Sequence, residues 1–419
     1  MRLLYNTGVI LYFVTVYLAS FFSKKAKLWI SGRKNQSLIR SNGCIWFHFA
    51  SLGEFEQGRP VLEEMRTLYP SKEMVITFFS PSGYEVRKNT PLADAVYYLP
   101  LDTPANARNF IDALQPEMAI FTKYEYWYYY FRELHARQIP LYIISGIFRP
   151  RQVFFKWYGG LHRKMLGWVS HFFVQDENSK RLLKQIKITN VTVSGDTRFD
   201  RVWANAQHLK DIPLIAGFKG DNKIFIAGST WPPDEQLIVS LITEHPDWKF
   251  IIAPHEINEE KIRDLMLRLP ADTTARYSQL STIEYTPNRN SEIVNLQSGI
   301  SYLVIDNIGM LSSLYQYGDI AYIGGGFGAG IHNTLEAAAF GIPVIFGPEY
   351  SKFKEACDLI ALGAGFSIAD GPALKEITNK LITDEAFYNN AHEKIKAYVA
   401  SNTGATAAIV ERIQTQIDL

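Results

Sequence analysis

Cysteine is almost absent. Two residues in 419, Cys44 and Cys357, exclude a disulfide framework and a paired-cysteine metal site, and they are compatible with a reducing compartment. The nine histidines show no HxxxH or similar spacing, so no built-in metal site is indicated. Charge is sparse as well: 20% of residues are charged and the net charge is +1, which argues against a general nucleic-acid binder. Neither a repeat of solenoid period nor a low-complexity segment occurs. Apolar residues are plentiful instead. The chain is 47% hydrophobic and 14% aromatic, enough at this length for two domains with sizeable cores.

Between Arg2 and Lys24 no residue is charged. That apolar stretch is close to the roughly 20 residues a membrane-spanning helix needs. Lys24, Lys25, Lys27, Arg33 and Lys34 follow, which puts the remaining chain on the cytoplasmic side. A cleavable signal peptide fits less well, because its basic residues precede the apolar run. A helix lying on the membrane and a plain core helix are the other readings.

Short apolar runs then alternate with polar, glycine-bearing turns. Strands are expected at Ile45–Phe49, Glu73–Phe79, Ala95–Leu99, Met118–Phe121, Leu141–Ile144, Phe172–Val174 and Val191–Val193. Strand, turn and helix repeated in this way indicate a parallel sheet covered on both faces, an α/β fold. Ser51, Gly53, Glu54, Ser82, Glu125, Arg149 and Arg198 would then project from one sheet edge, where open α/β sheets bind ligands. Glu54 opens a helix there, so it is either catalytic or merely favoured by the helix dipole. Two runs, Tyr124–Phe131 and Phe148–Tyr158, are densely aromatic, and Arg149, Arg151, Lys156, Arg163 and Lys164 thread the second and the residues after it. That mixture suits a membrane interface better than a core, with a solvated basic helix as the plainer reading.

Residues 202–222 carry no strong pattern and are read as a linker. A second series follows, with strands at Lys223–Ala227, Trp248–Ala253, Tyr302–Ile305, Ile320–Ile323 and Ile342–Phe346. Gly228, Ser229 and Thr230 form a candidate phosphate turn of small and hydroxyl residues. The richest stretch has five glycines in seven residues, Gly324 to Gly330, followed by a helix expected from His332 or Asn333 to Gly341. Glycine turn plus helix N-terminus is a phosphate-binding device. The spacing matches neither the dinucleotide fingerprint nor a P-loop, and Asn333 to Glu336 also has capping-box spacing, so a structural turn is an equal reading. After Asp384 the chain reads as helical to the end.

The turns HFASLGE, TFFSPSGYE, YLPLD, KYEYW, GDTRFD, AGSTWPPDE, APH, IGML, GAGIHNTLEAA and GPEYSKF occur in the order found in 3-deoxy-D-manno-octulosonic acid (Kdo) transferases of lipopolysaccharide assembly, which the chain resembles over nearly its whole length. The resemblance implies a GT-B fold, two Rossmann-like domains facing across a cleft. It implies transfer of Kdo from CMP-Kdo to a lipid A precursor at the cytoplasmic face of the inner membrane. No metal, cofactor or nucleic acid is implied. The implied layout is an anchor over 1–23, an acceptor domain over 24–210, a CMP-Kdo domain over 211–385, and C-terminal helices over 386–419 free to pack back toward the first domain.

Residue by residue, Glu54 matches the family's base in its ASxGE turn, and an inverting transferase needs such a base. Glu125 matches the second glutamate of ETELW, linked to transition-state stabilisation. Arg198 stands where the family has a lysine. On the donor side Pro254 and His255 match Pro-Arg of PRH, so that arginine is missing. Ile308, Gly309 and Met310 match MGE without its glutamate. Asn333, Thr334, Leu335 and Glu336 match NxxE, with Glu336 expected at the ribose hydroxyls. Ser51, Gly53, Ser82, Arg149 and Arg151 are candidates for acceptor binding, the basic ones for lipid phosphates. Turns of this kind also suit a UDP-sugar lipid glycosyltransferase, an epimerase, or a non-catalytic membrane scaffold.

Overall fold

A strand covered on both faces must be apolar at successive positions, and Cys44–Phe49 (CIWFHF) is buried at all six. Most of the thirteen further strands among the described residues follow the same logic. The structure is a computed structural model that describes residues 2–38, 40, 41, 43–284 and 299–417. The chain divides into two units, Met1–Asp200 with Asn402–Leu419, and Arg201–Ser401.

The first unit contains β1 (Cys44–Phe49), β2 (Glu73–Phe78), β3 (Ala95–Tyr98), β4 (Pro116–Thr122), β5 (Leu141–Gly146), β6 (His171–Val174) and β7 (Val191–Val193). They form one parallel sheet ordered β3-β2-β1-β4-β5-β6-β7. The second contains β8 (Ile224–Thr230), β9 (Lys249–Pro254), β10 (Thr274–Arg276), β11 (Tyr302–Val304), β12 (Ile320–Ile323), β13 (Val344–Phe346) and β14 (Gly365–Ser367). Its parallel sheet is ordered β10-β11-β9-β8-β12-β13-β14. Each unit is Rossmann-like, with helices between successive strands, and together they are the pair of α/β domains of the GT-B class. The expected strands are all present. Two were not foreseen, β10 and β14, each only three residues long and partly polar.

The structure gives three regions in more detail. Residues 202–222 are largely helical: the helix Thr197–Gln207 carries the chain from one unit into the other, and Pro213–Lys219 buries Leu214, Ile215 and Phe218. The helix after the glycine stretch is one turn, Leu335–Ala338, rather than a run to Gly341. Of the two C-terminal helices, Glu385–Ser401 stays with the second unit. The last, Ala405–Ile417, packs in the first unit's core through Ile409, Val410 and Ile413. Asp200 fixes its start by accepting from Gly404 N, Thr406 N and Thr406 Oγ1 at 2.5–2.7 Å.

The N-terminal helix α1 (Arg2–Ala19) is long and apolar enough to cross a membrane, and none of its residues is buried. It nevertheless does not stand apart from the first unit. The Tyr5 hydroxyl donates to Asp102, the Tyr129 hydroxyl donates to Asn6 Oδ1 (2.6 Å), and Tyr12 packs on Trp29 and Phe79. Asp102 also accepts from the backbone N–H groups of Tyr129 and Tyr130, at 3.0 and 3.1 Å. One stripe of α1 is thus fastened to the sheet domain. The opposite stripe, including Leu3, Leu11 and Leu18, is exposed.

Candidate functional site

In the first unit β1 lies in mid-sheet. The chain runs from it outward through β2 and β3, then crosses to β4 on its other side. The crevice above the ends of β1 and β4 is therefore a topological switch point, where open α/β sheets bind ligands. Both glutamates singled out by sequence belong to the turns that flank it. After β1, Ser51 caps the helix Leu52–Leu68: its Oγ accepts from Gly53 N (3.3 Å) and donates to the Glu54 carboxylate. Glu54 is thereby oriented by a hydroxyl and sits in the first helical turn.

After β4, Lys123 takes a left-handed conformation (φ 60°), which residues with a Cβ seldom adopt. The turn delivers Glu125 onto His48, a fully buried residue of β1. Glu125 Oε2 is 3.0 Å from His48 Nε2 and accepts from Trp127 Nε1 at 3.0 Å. The other face of the imidazole, Nδ1, is 2.8 Å from Thr77 Oγ1, which accepts from Trp46 Nε1 at 2.8 Å. One proton inventory satisfies this chain with a neutral imidazole. Thr77 donates to Nδ1, and Nε2–H donates to Glu125. Glu125 is then an anion between two N–H donors, held by a buried wire from Trp46 to Thr77 to His48. His48 and Thr77 were not singled out by sequence reasoning. The available signal was one imidazole inside an otherwise apolar strand.

The neighbouring strand ends add charge. Tyr124 is raised above the usual tyrosine range by burial first; Arg149 counteracts, and Glu54 and Asp176 add to the rise. Those groups therefore share one neighbourhood on the sheet edge. Ser82 is exposed in the first turn of the helix Pro81–Arg87 that follows β2, its Oγ 3.0 Å from Ser80 Oγ. Arg149 and Arg151 are exposed. Arg163 has a structural task instead, since it donates to the carbonyls of Phe154 (3.0 Å) and Lys156 (2.7 Å) and closes its own loop. That loop presents Trp157, 91% exposed. Arg198 is not an isolated cation: its Nε and Nη2 donate to Asp196 Oδ2 at 2.9 and 2.7 Å, and Asp196 is held in turn by Gln57 Nε2 at 2.9 Å.

The second unit has the same switch point, between β8 and β12. Gly228, Ser229 and Thr230 are the bulged end of β8 rather than an open turn. Ser229 has φ 53°, Thr230 is buried, and a Cβ on Gly228 would lie 2.2 Å from the Tyr315 hydroxyl. The first glycines after β12 are likewise structural. A Cβ on Gly324 would approach Ser229 O to 2.3 Å, and one on Gly326 would approach Gly347 Cα to 2.6 Å. Between and beyond them the stretch opens onto a pocket of about 360 Å³ that Gly325, Gly328, Ala329 and Gly330 border together with Trp231, Asp234 and His332. Asp234, also missed in the sequence, organises this corner. Its buried carboxylate accepts from Trp231 N (2.9 Å), the Tyr322 hydroxyl (2.8 Å) and Gly325 N (2.9 Å).

His255, at the place of the missing arginine, stacks between Trp231 (5.0 Å) and His332 (4.1 Å). Burial first, and the adjacent His255 second, push His332 down to about 4, so it is neutral and accepts from Trp231 Nε1 at 3.1 Å. Pro254 ends β9. Ile308, Gly309 and Met310 form an outlying turn in which Ile308 is 89% exposed. Asn333 to Glu336 are hydrogen-bonded to one another locally, without the pattern of a capping box. Asn333 Oδ1 accepts from Leu335 N, and its Nδ2 donates to Glu336 Oε1, both at 3.1 Å. Thr334 is buried with no partner for its hydroxyl among the described residues. No cluster of three or more metal-ligating side chains occurs among the described residues.

Residues 23–201 match the family model described as 3-deoxy-D-manno-octulosonic-acid transferase (kdotransferase). The chain is 26% identical to 3-deoxy-D-manno-octulosonic acid transferase of Haemophilus influenzae, with 89% of this chain and 87% of that protein aligned. It is 25% identical to the protein of the same name from Aquifex aeolicus, over 83% and 88%. Among solved structures, UDP-GlcNAc 2-epimerase from Neisseria meningitidis, bound to UDP-GlcNAc, matches with a TM-score of 0.61 at 15% identity, covering 88% of this chain and 99% of that one. At that identity the likeness is one of fold alone. Residues 23–201 thus match the 3-deoxy-D-manno-octulosonic-acid transferase model, and the chain is similar over most of its length to proteins named 3-deoxy-D-manno-octulosonic acid transferase.

Proposed function

We propose that the chain is an inverting glycosyltransferase that moves Kdo from CMP-Kdo to a lipid A precursor, lipid IVA, in lipopolysaccharide core assembly. The observation that carries the reading is the pair of oriented carboxylates, Glu54 and Glu125, at the switch point of the half that matches the family model. The acceptor hydroxyl oxygen attacks the anomeric carbon of Kdo as that carbon's bond to the phosphate oxygen breaks. CMP departs with the bonding pair, and Glu54 takes the acceptor proton. Glu125, oriented by hydrogen bonds with His48 and Trp127, stabilises positive charge developing on the sugar.

The donor nucleotide falls to the second unit. Glu336, positioned by Asn333, takes the ribose hydroxyls, and Pro254, His255, Ile308, Gly309 and Met310 border the nucleotide. The one-turn helix at Leu335 has little dipole to offer, so within the second unit the phosphate is met chiefly by backbone N–H groups, and Arg198 is the candidate cation of the first unit. Asp196 offsets much of the Arg198 charge. The exposed stripe of α1, together with Trp157, Arg149, Arg151, Lys156 and Lys164, faces the cytoplasmic surface of the inner membrane.

The test is CMP release from CMP-Kdo in the presence of tetraacyl lipid A precursor. Wild type is expected to turn over, and Glu54→Gln to lower kcat by about 10²–10⁴-fold. No CMP release by wild type sinks the reading in favour of a UDP-sugar enzyme or a scaffold. Undiminished turnover by the variant removes Glu54 as the base.

A further inference from the structure

We propose that the groove between α1 and the sheet of the first unit is a binding site for one fatty-acyl chain of the lipid acceptor; the inference rests on the lipid-acceptor reading above. The groove encloses about 490 Å³, within the roughly 300–1,000 Å³ of ordinary ligand sites. Tyr5, Gly8 and Tyr12 of α1 form one wall, Phe79 and Trp127 the floor, and Leu161 the opposite wall. Beyond Tyr12 and Phe79 it continues into a second hollow of about 280 Å³.

Three observations select the occupant. The wall is a helix whose far stripe is exposed and apolar, so a chain reaches the groove from lipid without crossing water. The floor ends at the candidate catalytic centre, because Trp127 donates its indole N–H to Glu125 at 3.0 Å. An occupant must therefore have an apolar tail and a reactive polar head, which distinguishes the acceptor from bulk membrane lipid. A partner helix, about 10–12 Å across with its side chains, asks for more room than this.

The third observation is Gly8. A glycine inside a helix is unfavourable relative to alanine, yet a Cβ at Gly8 would meet nothing within 4 Å. The position is kept open by a residue the helix itself does not need. The wall is also fixed in place, by Tyr5 on Asp102 and Asn6 on Tyr129, so the groove is a standing feature of the unit.

The experiment fills the groove from its wall with Gly8→Trp in the full chain, in mixed micelles. KM for the tetraacyl acceptor is expected to rise at least tenfold, while KM for CMP-Kdo and the thermal midpoint stay at wild-type values. A diazirine-bearing palmitic acid provides a readout that needs no catalysis. Photolysis is expected to label the peptide carrying Tyr126 and Trp127 in wild type, and at least tenfold less in the variant. Equal labelling, or an unchanged acceptor KM, overturns the groove. If wild type transfers no Kdo, the functional reading falls alone and labelling still decides the groove. Should Gly8→Trp lower the thermal midpoint, acceptors of decreasing chain length on wild type decide instead: KM should climb as the chain shortens, and a flat series overturns the proposal.

Discussion

The two units carry the same kind of sheet, seven parallel strands with the first strand in the interior, yet their carboxyl edges are built from different materials. At the edge of the first unit, side chains do the work: Ser51 on Glu54, His48 and Trp127 on Glu125, Asp196 on Arg198. At the edge of the second, backbone meets backbone through Gly324 and Gly326, and the few charged groups are spent on holding the loop, Asp234 above all. One edge presents charge at defined points, which suits proton transfer and charge stabilisation. The other presents shape and peptide N–H groups, which suits holding a nucleotide. A switch point provides only a place; the residues at the strand ends decide whether it reacts or binds.

That contrast can be broken by mutation. His48→Phe should strike the first unit hardest. Glu125 would lose a charge-assisted hydrogen bond, at about 1.5–3 kcal/mol. We expect a lower unfolding midpoint for that unit by calorimetry, and a fall in kcat with KM for CMP-Kdo unchanged. Normal kcat would mean that the wire from Trp46 to Glu125 serves folding alone.

Gly324→Ala should strike only the second unit. Its Cβ would meet the carbonyl oxygen of Ser229 and the backbone of Thr230, neither of which can rotate away. We expect about 1–3 kcal/mol of destabilisation, the range for overpacking, read as a drop in that unit's unfolding transition. A change below about 0.5 kcal/mol, ordinary for an unconstrained surface site, would show that the glycine turn is not as tightly stacked as its contacts indicate.

The smallest expected effect is a difference of sign with pH. His332 is held at about 4 by burial and His255, below its ordinary value of 6.5. Its contribution to the second unit is complete above pH 6.5 and is lost as pH falls from 6.5 toward 4. Asp102 is raised to about 6 by burial, against hydrogen bonds from Tyr5 and the backbone that lower it. Its contribution to the first unit is complete below pH 3.8 and is lost as pH rises from 3.8 to 6. Between pH 4 and 6 the two groups pull the two transitions in opposite directions. Asp102→Asn should remove the first unit's share and leave the second's. Transitions that shift identically in wild type and Asp102→Asn would contradict this.

Much of the scaffold was readable in advance because parallel strands buried on both faces are continuous apolar runs with polar turns between them. Of the five three-residue strands among the described residues, β10 (TAR) and β14 (GFS) escaped notice because each has a single apolar residue between polar or glycine neighbours, so no apolar run marks it. The glycine stretch was balanced between phosphate cradle and structural turn, and the fold divides it: Gly324 and Gly326 are packed, whereas Gly328 to Gly330 line a pocket. The helix expected to Gly341 stops after one turn at Ala338. The helix Pro213–Lys219 was not legible within the patternless stretch 202–222, because it buries Leu214, Ile215 and Phe218 in only seven positions, too short a segment to declare a period.

Local order along the chain settled the α/β class, the strand positions, the capped turn at Ser51 and the apolar N-terminal helix, since each depends on neighbours within a few residues. The partners that make a site lie far apart in sequence: His48 and Glu125 by 77 positions, Asp234 and Gly325 by 91, Tyr5 and Asp102 by 97. Those pairings, and the groove that the last of them holds open, exist only once strands β1, β2 and β4, or β8 and β12, lie side by side. Hydrogen bonds act over about 3 Å in space, whatever the distance along the chain.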